Sequence, residues 1–519
     1  MPIPAGDPRV IQLRKHLFMA ELDKAKASVE ALDPNEDFGD EEEGLKLRSM
    51  AAEVCDYWGN FSRAREFIEK TADDCLREFT TGAPSGSWKE VKQKTWVLLG
   101  GGMCAYRRTS FDRAKEFFTV ADVAANTRVA TSENPSWGLR ARAQYSLGLV
   151  CREELQFDEA VTYFTRSTEY AYKSLEARGS DYSQLNYIPM ARSLGLGLAF
   201  LHNMAGRPDL ALPLLMAAKA MLPSEEKLIS RHIDLIQALV GAAAGQDEAA
   251  AVSDDILKRL QYCYQEFKVR EHPLYLARAA NSLALVHLRR ARPNEYQPIT
   301  AAGEKELEAA AELTKDLINY VRVSGDLRFR LAQLLIQSHI DRKKDQLDEA
   351  EKKASEGLAL APKTYREYLD LQLARGLARA RKGNTKGAIE DFEEGRERSK
   401  KAQEIHLHAT FALHLCVLYA RQGELRKASE CRGEFDDLRL PVVPSSIRLL
   451  VARAEEALAQ PNSDFVLRLA DDSIDPREQE KQFRRFLVRW AQRQMQGNDT
   501  KAAELLHITR QTLYNWLKS

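Results

Sequence analysis

A motif of small and aromatic residues recurs at helical intervals along most of this 519-residue chain, and it constrains the fold more than any other feature. In the copy that begins at Leu147-Gly148, Ala160, Phe164 and Ser167 follow at spacings of four and three residues. Two antiparallel helices approach closely only where small residues lie at their crossing, so each copy predicts a helix pair. Because one pair leaves an apolar face uncovered, such pairs are expected to stack.

Seven copies of this motif are present, and each carries a marker alanine on its second helix. The marker alanines are Ala64, Ala114, Ala160, Ala211, Ala350, Ala388 and Ala428. The first four are separated by 50, 46 and 51 residues, and the last three by 38 and 40. The order of residues resembles the tetratricopeptide repeat (TPR), whose standard period is about 34 residues. The longer spacing is similar to the stretched superhelices of signal-responsive bacterial regulators.

The resemblance implies an all-α fold over residues 1–440, a right-handed TPR-like α-solenoid with lengthened repeats. Period-2 alternation flanked by turn residues, which would indicate strands, does not stand out. Three non-repeat features are also expected: one helix over Val10–Leu32, a solvated acidic loop at Asp33–Gly44, and a long loop around Pro293–Gly303. Residues 441–476 are interpreted as a last helix, Ile447–Gln460, followed by a polar linker, and residues 477–519 as a separate terminal domain.

Composition excludes several classes of protein. Lys+Arg and Asp+Glu both number 76, so the chain has a formal net charge of +0 and is not a globally basic nucleic-acid coat protein. The seven cysteines are scattered without a C-x-x-C pair, which favours reduced core thiols over disulfides or zinc ligands. A secretory signal and a membrane-spanning run are not recognised. The expected location is therefore cytoplasmic.

The carboxyl-terminal residues predict two short helices with their own small core. Asn498 is a candidate cap for a helix that carries Ala502-Ala503, and Thr509 for a second helix. The predicted core residues are Leu506, Ile508, Leu513 and Leu517, and an upstream stripe of Phe483, Phe486, Leu487, Trp490 and Met495 would supply a third helix. Helix, tight turn and recognition helix is the geometry of a helix-turn-helix.

This terminal sequence, from Gly497-Asn498 through Ala502-Ala503 to Leu517, resembles the Fis-type DNA-binding domain of NtrC-like transcription activators. The resemblance implies that Arg510 reaches a base edge, with guanine the preferred partner. It places Thr509, Thr512, Tyr514 and Lys518 against phosphates and Asn515 against a base or a phosphate, with Gln511 on the same outward face. His507 takes the turn position usually held by glycine, so a left-handed backbone is expected there. Trp516 is expected to pack against a partner helix or the solenoid instead of DNA.

Charge supports this interpretation locally. Residues 477–519 contain nine Lys/Arg and four Asp/Glu, a net charge of +5, so residues 1–476 carry −5. A positive tail on an acidic body is the distribution expected of a tethered DNA-binding module.

Signs of catalysis are not found in the sequence. The pattern G-x-x-x-x-G-K-[ST] of an ATPase is absent, and Gly102 of the Gly100–Gly102 triplet is interpreted as the small residue of a helix crossing. The histidines show no H-E-x-x-H spacing. An enzyme, a cofactor and a metal site are therefore not expected. Asn203, Arg278 and Asn281 are candidate groove residues on first helices of pairs that could clamp a peptide carboxylate, although solvation or inter-repeat hydrogen bonding is the favoured explanation.

Two functions remain open. The first is a transcriptional regulator: the solenoid binds a protein, peptide or small ligand, and the terminal domain binds double-stranded DNA, with homodimers expected from the resemblance. The second is a protein–protein interaction scaffold or adaptor whose terminal helices cap the solenoid. A third interpretation, an enzyme, would need a pocket with convergent acid and base groups.

Overall fold

The computed structural model describes most of the chain. The described residues are 7–18, 22–36, 38, 42–82, 87–126, 136–176, 188–222, 227–244, 254–269, 272–291, 299–440, 443, 445–459, 484, 487–489, 491–492, 495 and 498–518. They are predominantly helical, and none of them forms a β-strand. The chain divides into two compact units, Met1–His408 with Leu440–Ser446 and Ala409–Arg439 with Ile447–Ser519.

The helices follow one another in antiparallel pairs. In chain order they are α1 (Pro8–Phe18), α2 (Leu22–Glu30), α3 (Glu42–Tyr57), α4 (Phe61–Thr81), α5 (Trp88–Arg107), α6 (Phe111–Asn126), α7 (Trp137–Glu153), α8 (Phe157–Glu176), α9 (188–204), α10 (Pro208–Met221), α11 (Lys227–Ala244), α12 (Asp254–Val269), α13 (Pro273–Ala291), α14 (Ala301–Ser324), α15 (Leu327–Lys343), α16 (Leu347–Leu360), α17 (Arg366–Arg381), α18 (Thr385–Lys401), α19 (Ile405–Gln422), α20 (Leu425–Asp437), α21 (Ser445–Ala459), α22 (Asp499–Leu505) and α23 (Arg510–Lys518). Helix α9 contains a π-helical stretch, Arg192–Leu198, between two α-helical ends.

The marker alanines lie where the motif predicts, at the crossings inside each pair. All seven are buried on the second helix of a pair. Aromatic rings fill the same crossings because the opposite helix carries glycine: a Cβ on Gly102 would lie 2.4 Å from the Phe118 ring, and one on Gly376 would lie 2.3 Å from the Phe392 ring. The interpretation of Gly102 as a crossing residue is confirmed.

The turns inside the pairs share one backbone design. A single left-handed residue ends the first helix, glycine at Gly59 and Gly206 but Leu155 at the turn between α7 and α8. The next N–H then donates to a carbonyl five residues earlier, as in Asn60 to Cys55 at 2.9 Å and Gln156 to Cys151 at 2.8 Å. This is a Schellman closure, and it gives successive pairs the same tight reversal.

Near the amino terminus, one sequence expectation is wrong and a second holds only in part. The expected single helix over Val10–Leu32 is two helices, α1 and α2, which pack on each other. The acidic segment Asp33–Gly44 is not wholly a solvated loop, because Phe38 is fully buried and stacks on Phe67 with ring centroids 6.4 Å apart. A single aromatic residue thus anchors a segment whose composition is acidic. Of the long loop expected around Pro293–Gly303, residues 293–298 lie outside the described part of the chain, and α14 begins at Ala301 with the Thr300 side chain as its cap.

The core of the first unit is continuous between distant repeats. One hydrophobic cluster runs from Val10 on α1 to Val150 on α7 and also includes residues of α15 to α17, from Leu331 to Ala374. Phe111 stacks on Tyr365 with ring centroids 5.1 Å apart, although the two residues lie in repeats far apart in sequence. Later pairs of this unit therefore pack against earlier ones as well as against their neighbours.

The second unit is described by itself. It contains most of α19, together with α20, α21 and the terminal pair α22 and α23. Phe411, Ala428 and Phe435 are among its buried residues on α19 and α20. The helix expected at Ile447–Gln460 is α21, Ser445–Ala459.

The cysteines are reduced core thiols, as the sequence predicts. All seven are free, six of them buried and Cys104 half-buried. Burial raises the pKa of Cys55, Cys104 and Cys151 to about 12, so these thiols are poor nucleophiles at neutral pH. Within the described ranges, no helix is both long enough and apolar enough to cross a membrane.

Candidate functional site

A cavity of about 140 Å³ lies inside the first unit. The helices that line it are α3, α5, α7, α9 and α13, each the first member of a pair. Its aromatic and charged lining residues are Glu53, Asp56, Trp96, Arg107, Arg142, Tyr145, Arg192, Tyr275 and Arg278. The first helices of the pairs therefore turn charged side chains toward a shared interior.

Two of the four arginines in this cavity are neutralised by its two carboxylates. Arg107 donates from Nε and Nη2 to the Asp56 carboxylate at 2.8 and 2.9 Å, a bidentate pair. Arg142 donates to Glu53 at 2.9 Å and lies 4.6 Å from the centroid of the Trp96 ring. These two pairs occupy both carboxylates of the lining, so neither is left for Arg278.

Arg278 has no carboxylate partner among the described residues. Its guanidinium lies 3.4 Å from Nε2 of His232 and 5.3 Å from the centroid of the Tyr275 ring. Burial lowers the pKa of Arg278 below its usual value, and the positive charges of Arg107 and Arg328 act in the same direction. A guanidinium in such a place is available to a negatively charged ligand.

The pKa values of His232 and Tyr145, beside Arg278, reflect the positive electrostatic potential of nearby guanidiniums. Burial lowers the pKa of His232 well below its usual value, and Arg278, Arg152 and Arg192 lower it further. Burial raises the pKa of Tyr145, and the same three guanidiniums oppose that rise. His232 is therefore a neutral imidazole and Tyr145 a protonated phenol at neutral pH.

A hydrogen-bonded chain next to the cavity joins early and late repeats. The Tyr106 hydroxyl accepts from Arg328 at 2.7 Å and donates to Glu153 at 2.9 Å, and Arg152 donates to the same carboxylate at 2.6 Å. Burial alone would raise the pKa of Glu153, but Arg152 and Arg328 lower it below its usual value. Because Tyr106 and Arg328 lie 222 residues apart, the chain fixes α15 against α5 and α7.

Helix α17 contributes a carboxyl group whose pKa is raised, in contrast to that of Glu153. Oε2 of Glu367 is buried and has no hydrogen-bond partner among the described residues. Burial raises the pKa of Glu367 to about 7, with the negative charges of Glu153 and Asp370 adding to the effect and Arg328 opposing it. Glu367 is therefore partly protonated near neutral pH.

The terminal helices α22 and α23 form a second candidate site. A four-residue turn joins them, and His507 in that turn has φ 52°, the left-handed conformation that the sequence predicts. The Asn498 side chain accepts from the N–H groups of Thr500 and Lys501, both at 3.1 Å, and Thr509 accepts from the N–H of Thr512 at 3.1 Å. Both predicted caps are confirmed.

The core of this pair matches the predicted positions. Ala502, Ala503 and Leu513 are buried together with Val488 and Ala491, and Leu506, Ile508 and Leu517 pack against them. Trp516 packs on the same cluster, with the Arg484 guanidinium 5.4 Å from its ring centroid, so its predicted packing role is confirmed. Of the upstream stripe, Leu487 and Met495 lie in the described part, whereas Phe483, Phe486 and Trp490 lie outside it.

The predicted DNA-contacting residues of α23 share one outward face. Arg510, Gln511 and Asn515 are exposed, as is Thr509, and Thr512 is half-buried. The Arg510 guanidinium lies 5.9 Å from the centroid of the Tyr514 ring, whose hydroxyl donates to Asp499 at 2.7 Å. Gln511 donates to Asn515 at 3.3 Å. Lys518 ends α23, and its side chain lies outside the described part of the structure.

Comparison with known proteins identifies the fold. No protein-family model matches the chain, and no curated protein matches it. Among solved structures, a Rap protein complexed with Competence and Sporulation Factor matches with a TM-score of 0.50 at 10% identity, over 77% of this chain and 98% of the other. The chain is a TPR-like α-solenoid.

Two further solved structures are similar to a lesser degree. The Rap conjugation gene regulator of the plasmid pLS20, in complex with the Phr* peptide, has a TM-score of 0.47 at 14% identity, over 76% of this chain and 93% of the other. The apo quorum sensor NprR from B. thuringiensis has a TM-score of 0.43 at 13% identity, over 77% and 99%.

The structure separates the groove candidates of the sequence. Arg278 lines the cavity of the solenoid, whereas Asn203 and Asn281 are not part of its lining. Asn203 on α9 is half-buried, and its Oδ1 has no hydrogen-bond partner among the described residues. Of the three, Arg278 alone lines this cavity together with other charged groups.

Sequence reasoning missed the other cavity residues, including Arg107, Arg142 and Arg192. A usable signal is a charged residue set between buried small residues on a first helix of a pair. Arg142 lies between Ala141 and Ala143, both fully buried. Small buried residues on both sides indicate that this part of the helix is packed inside the solenoid, and that the arginine side chain between them faces the interior.

Proposed function

We propose that the chain is a DNA-binding regulator in which the terminal helix pair binds double-stranded DNA and the solenoid binds a protein, peptide or small ligand. The division into a solenoid over residues 1–440, a connecting segment over 441–476 and a DNA-binding domain over 477–519 belongs to this proposal. Non-enzymatic action and a cytoplasmic location belong to it as well.

The observation that carries the proposal is the exposed face of α23. Arg510, Gln511 and Asn515 point away from the small core, and Arg510 occupies the first residue of the helix. A recognition helix contacts base edges with residues near its amino-terminal end. A guanidinium at that place fits guanine O6 and N7 with two hydrogen bonds.

The fold of the solenoid supports the sensing half of the proposal. Its first helices surround a cavity with charged walls, and concave surfaces of helical-repeat proteins serve as binding surfaces. The Rap protein that shares the fold was solved with Competence and Sporulation Factor. Without an ATPase motif in this sequence, regulation would proceed by recruitment, by occlusion of a promoter, or together with a separate ATPase.

The test is selection from random and genomic duplex DNA with the full chain, Arg510→Ala and a control, Arg426→Ala. Arg426 is a well-exposed arginine on α20 at 92% side-chain exposure, and its substitution removes the same charge elsewhere. We expect a two-fold-related motif to be enriched by the full chain and by the control. Arg510→Ala should lose about 1–3 kcal/mol of specific binding and relax the preference at one base pair.

Equal enrichment by Arg510→Ala and the unsubstituted chain would refute the assignment of Arg510. Recovery of salt-sensitive background alone, by the full chain and by an isolated 477–519 fragment, would refute DNA recognition itself.

A scaffold whose terminal helices act as a cap is the alternative function, and one observation favours it. The polar groups of α23 are partly committed within the pair, since Tyr514 donates to Asp499 and Gln511 donates to Asn515. A chain ending at Ser473 distinguishes the two. If the terminal helices are a separate DNA-binding domain, this chain keeps its helical circular dichroism and its melting temperature. If they are an integral cap, it loses both.

A further inference from the structure

Among the described residues of the solenoid, Arg278 has no carboxylate partner. Arg278 lines the cavity, and its neighbours at close range are a neutral imidazole and an aromatic ring, His232 and Tyr275. Arg278 is half-buried, and partial removal of a charge from water without a charged partner costs a folded protein stability. An anion bound beside Arg278 would remove that cost.

The other charged pairs of the cavity are already matched. Arg107 is held by both oxygens of Asp56, and Arg142 is held by Glu53 and the Trp96 ring. These pairs add no free carboxylate that could reach Arg278, and they shape fixed walls around it. The positive potential that Arg152 and Arg192 add at Tyr145 and His232 further disfavours a cationic ligand.

The size of the cavity limits the ligand. The cavity volume is about 140 Å³. Pockets for whole drug-sized molecules are larger, about 300–1,000 Å³. The cavity is therefore matched to one functional group of a ligand.

Hydrogen-bond donors and flat surfaces complete the site. Tyr145 and Ser146, which carry hydroxyl groups, are among the lining residues, as are the aromatic Trp96 and Tyr275. The guanidinium fork pairs with carboxylate or phosphate oxygens through two parallel hydrogen bonds, and a phenol donor suits the same acceptors.

We propose that this cavity binds a single anionic group, a carboxylate or a phosphate of a small ligand or peptide, with Arg278 as its charge partner and Tyr145 as an accompanying donor. The inference deepens the sensing role proposed above and rests on it. It names the ligand chemistry as anionic and its place as the part of the cavity lined by α7, α9 and α13. DNA plays no part in the test, so failure of DNA recognition and failure of this inference are observed separately.

The experiment is isothermal titration calorimetry on the full chain at fixed chloride concentration, in a buffer free of phosphate and carboxylate ions. The probes are inorganic phosphate, N-acetylalanine as a mimic of a peptide carboxyl terminus, and N-acetylalaninamide as its uncharged counterpart. The variants are Arg278→Gln, Arg278→Lys and the control Arg77→Gln, whose side chain is 75% exposed on α4. Circular dichroism checks that each variant is folded.

We expect at least one of the two anions to bind the unsubstituted chain and Arg77→Gln equally well, and the amide not to bind. Arg278→Gln should weaken that binding roughly ten- to a hundredfold, the loss of hydrogen bonds to a charged group. Arg278→Lys should weaken it less, because the charge remains while the fork is lost. If Arg278→Gln does not fold, the decrease in Arg278→Lys relative to Arg77→Gln decides the question.

The probes also distinguish the source of the anion. Binding of N-acetylalanine alone identifies a carboxylate ligand, binding of phosphate alone identifies a phosphorylated one, and binding of both supports the shared chemistry. Binding of neither anion overturns the inference. So does binding that neither Arg278 substitution changes, because the anion would then be held elsewhere on the chain.

Discussion

The solenoid and the terminal helix pair differ most in how many residues hold each of them together. In the solenoid, one hydrophobic cluster reaches from Val10 to Ala374 and ties helices of several repeats into a single core. In the described part of the terminal pair, the buried core is Val488, Ala491, Ala502, Ala503 and Leu513. Many residues contribute to the core of the solenoid, whereas each of the five buried residues contributes a large part of the core of the terminal pair.

The two regions also place their polar groups oppositely. The solenoid turns Arg107, Arg142 and Arg278 inward, where ion pairs and burial set their properties. The terminal pair keeps Arg510 and Asn515 on its outside, next to solvent. The charged groups of the solenoid therefore line an interior cavity, whereas those of the terminal pair lie on the surface around a small core.

The largest expected effect comes from removing one core side chain in each region. Phe392 fills the crossing at Gly376 and is 1% exposed, so Phe392→Ala should cost about 3–5 kcal/mol through lost burial and a cavity. Leu513 is fully buried, and Leu513→Ala should cost about 2–4 kcal/mol. Urea unfolding followed by circular dichroism measures the first, and amide hydrogen exchange with mass spectrometry measures the second.

The location of the damage should differ more than its size. Leu513→Ala should abolish protection of residues 498–518 and leave the amides of the solenoid unchanged, because the small core has nothing to share the loss. Phe392→Ala should lower protection across α17 and α18 together with their neighbouring helices. Unchanged protection of α22 and α23 in Leu513→Ala would contradict the view that five buried residues sustain the pair.

The next effect concerns the buried carboxyl of the solenoid. The pKa of Glu367 is raised by burial to about 7 from its usual value near 4.5, so the folded state holds the proton more tightly than the unfolded chain. This contribution to stability is present below pH 4.5 and is lost as the pH rises through 7. Glu367→Gln, neutral at every pH, should therefore stabilise the chain by about 1–3 kcal/mol at pH 8 and by little at pH 4.5.

The difference between variant and unsubstituted chain isolates this carboxyl from the histidines. Burial lowers the pKa of His272 to about 3 and that of His406 to about 4, so both destabilise the folded chain as the pH falls below 6.5. They act equally in both proteins and cancel in the comparison. Urea midpoints at the two pH values give the result, and Glu312→Gln, with a side chain 71% exposed, is the matched control. An effect of Glu367→Gln that is equal at both pH values would disprove the raised pKa.

Local features of both regions were predictable because they depend on residues close in sequence. The marker alanines, the caps Asn498 and Thr509 and the left-handed turn at His507 follow from helical spacing and backbone preference. A small residue opposite an aromatic one is likewise visible in the motif, as at Gly102. Where a single buried side chain overrides composition, as Phe38 does in an acidic segment, the prediction is wrong.

The cavity was not predictable, because its walls come from five different helix pairs that meet only in the folded chain. Arg328 reaches Tyr106 across 222 residues, and Arg278 stands beside groups from four other helices. Which first helices face one another depends on the summed rotation of the lengthened repeats, and no spacing within one repeat encodes that sum. The sequence named Arg278 as a polar residue on a first helix, while its missing counter-charge is a property of the assembled solenoid.

The smallest expected effect comes from removing one helix-capping asparagine side chain in each region. Asn384 and Asn498 are both helix caps whose side chains accept backbone N–H groups at 3.1 Å, from Gly387 in the solenoid and from Thr500 and Lys501 in the terminal pair. Substitution of either by alanine should cost about 1 kcal/mol of local stability. Asn384→Asp and Asn498→Asp keep an acceptor and should restore most of it.

Although the two substitutions should cost the same local stability, the number of amides whose exchange accelerates should differ. In α18 the remaining contacts with α17 and its buried Phe392 hold the helix, so Asn384→Ala should raise exchange only at the first few amides. In the terminal pair, α22 has seven residues, so Asn498→Ala should raise exchange about fivefold throughout α22 and α23. Hydrogen exchange resolved to single peptides measures both. Equal and confined responses would show that the terminal pair is as cooperative as the solenoid, and the contrast between a collective core and a minimal one would fail.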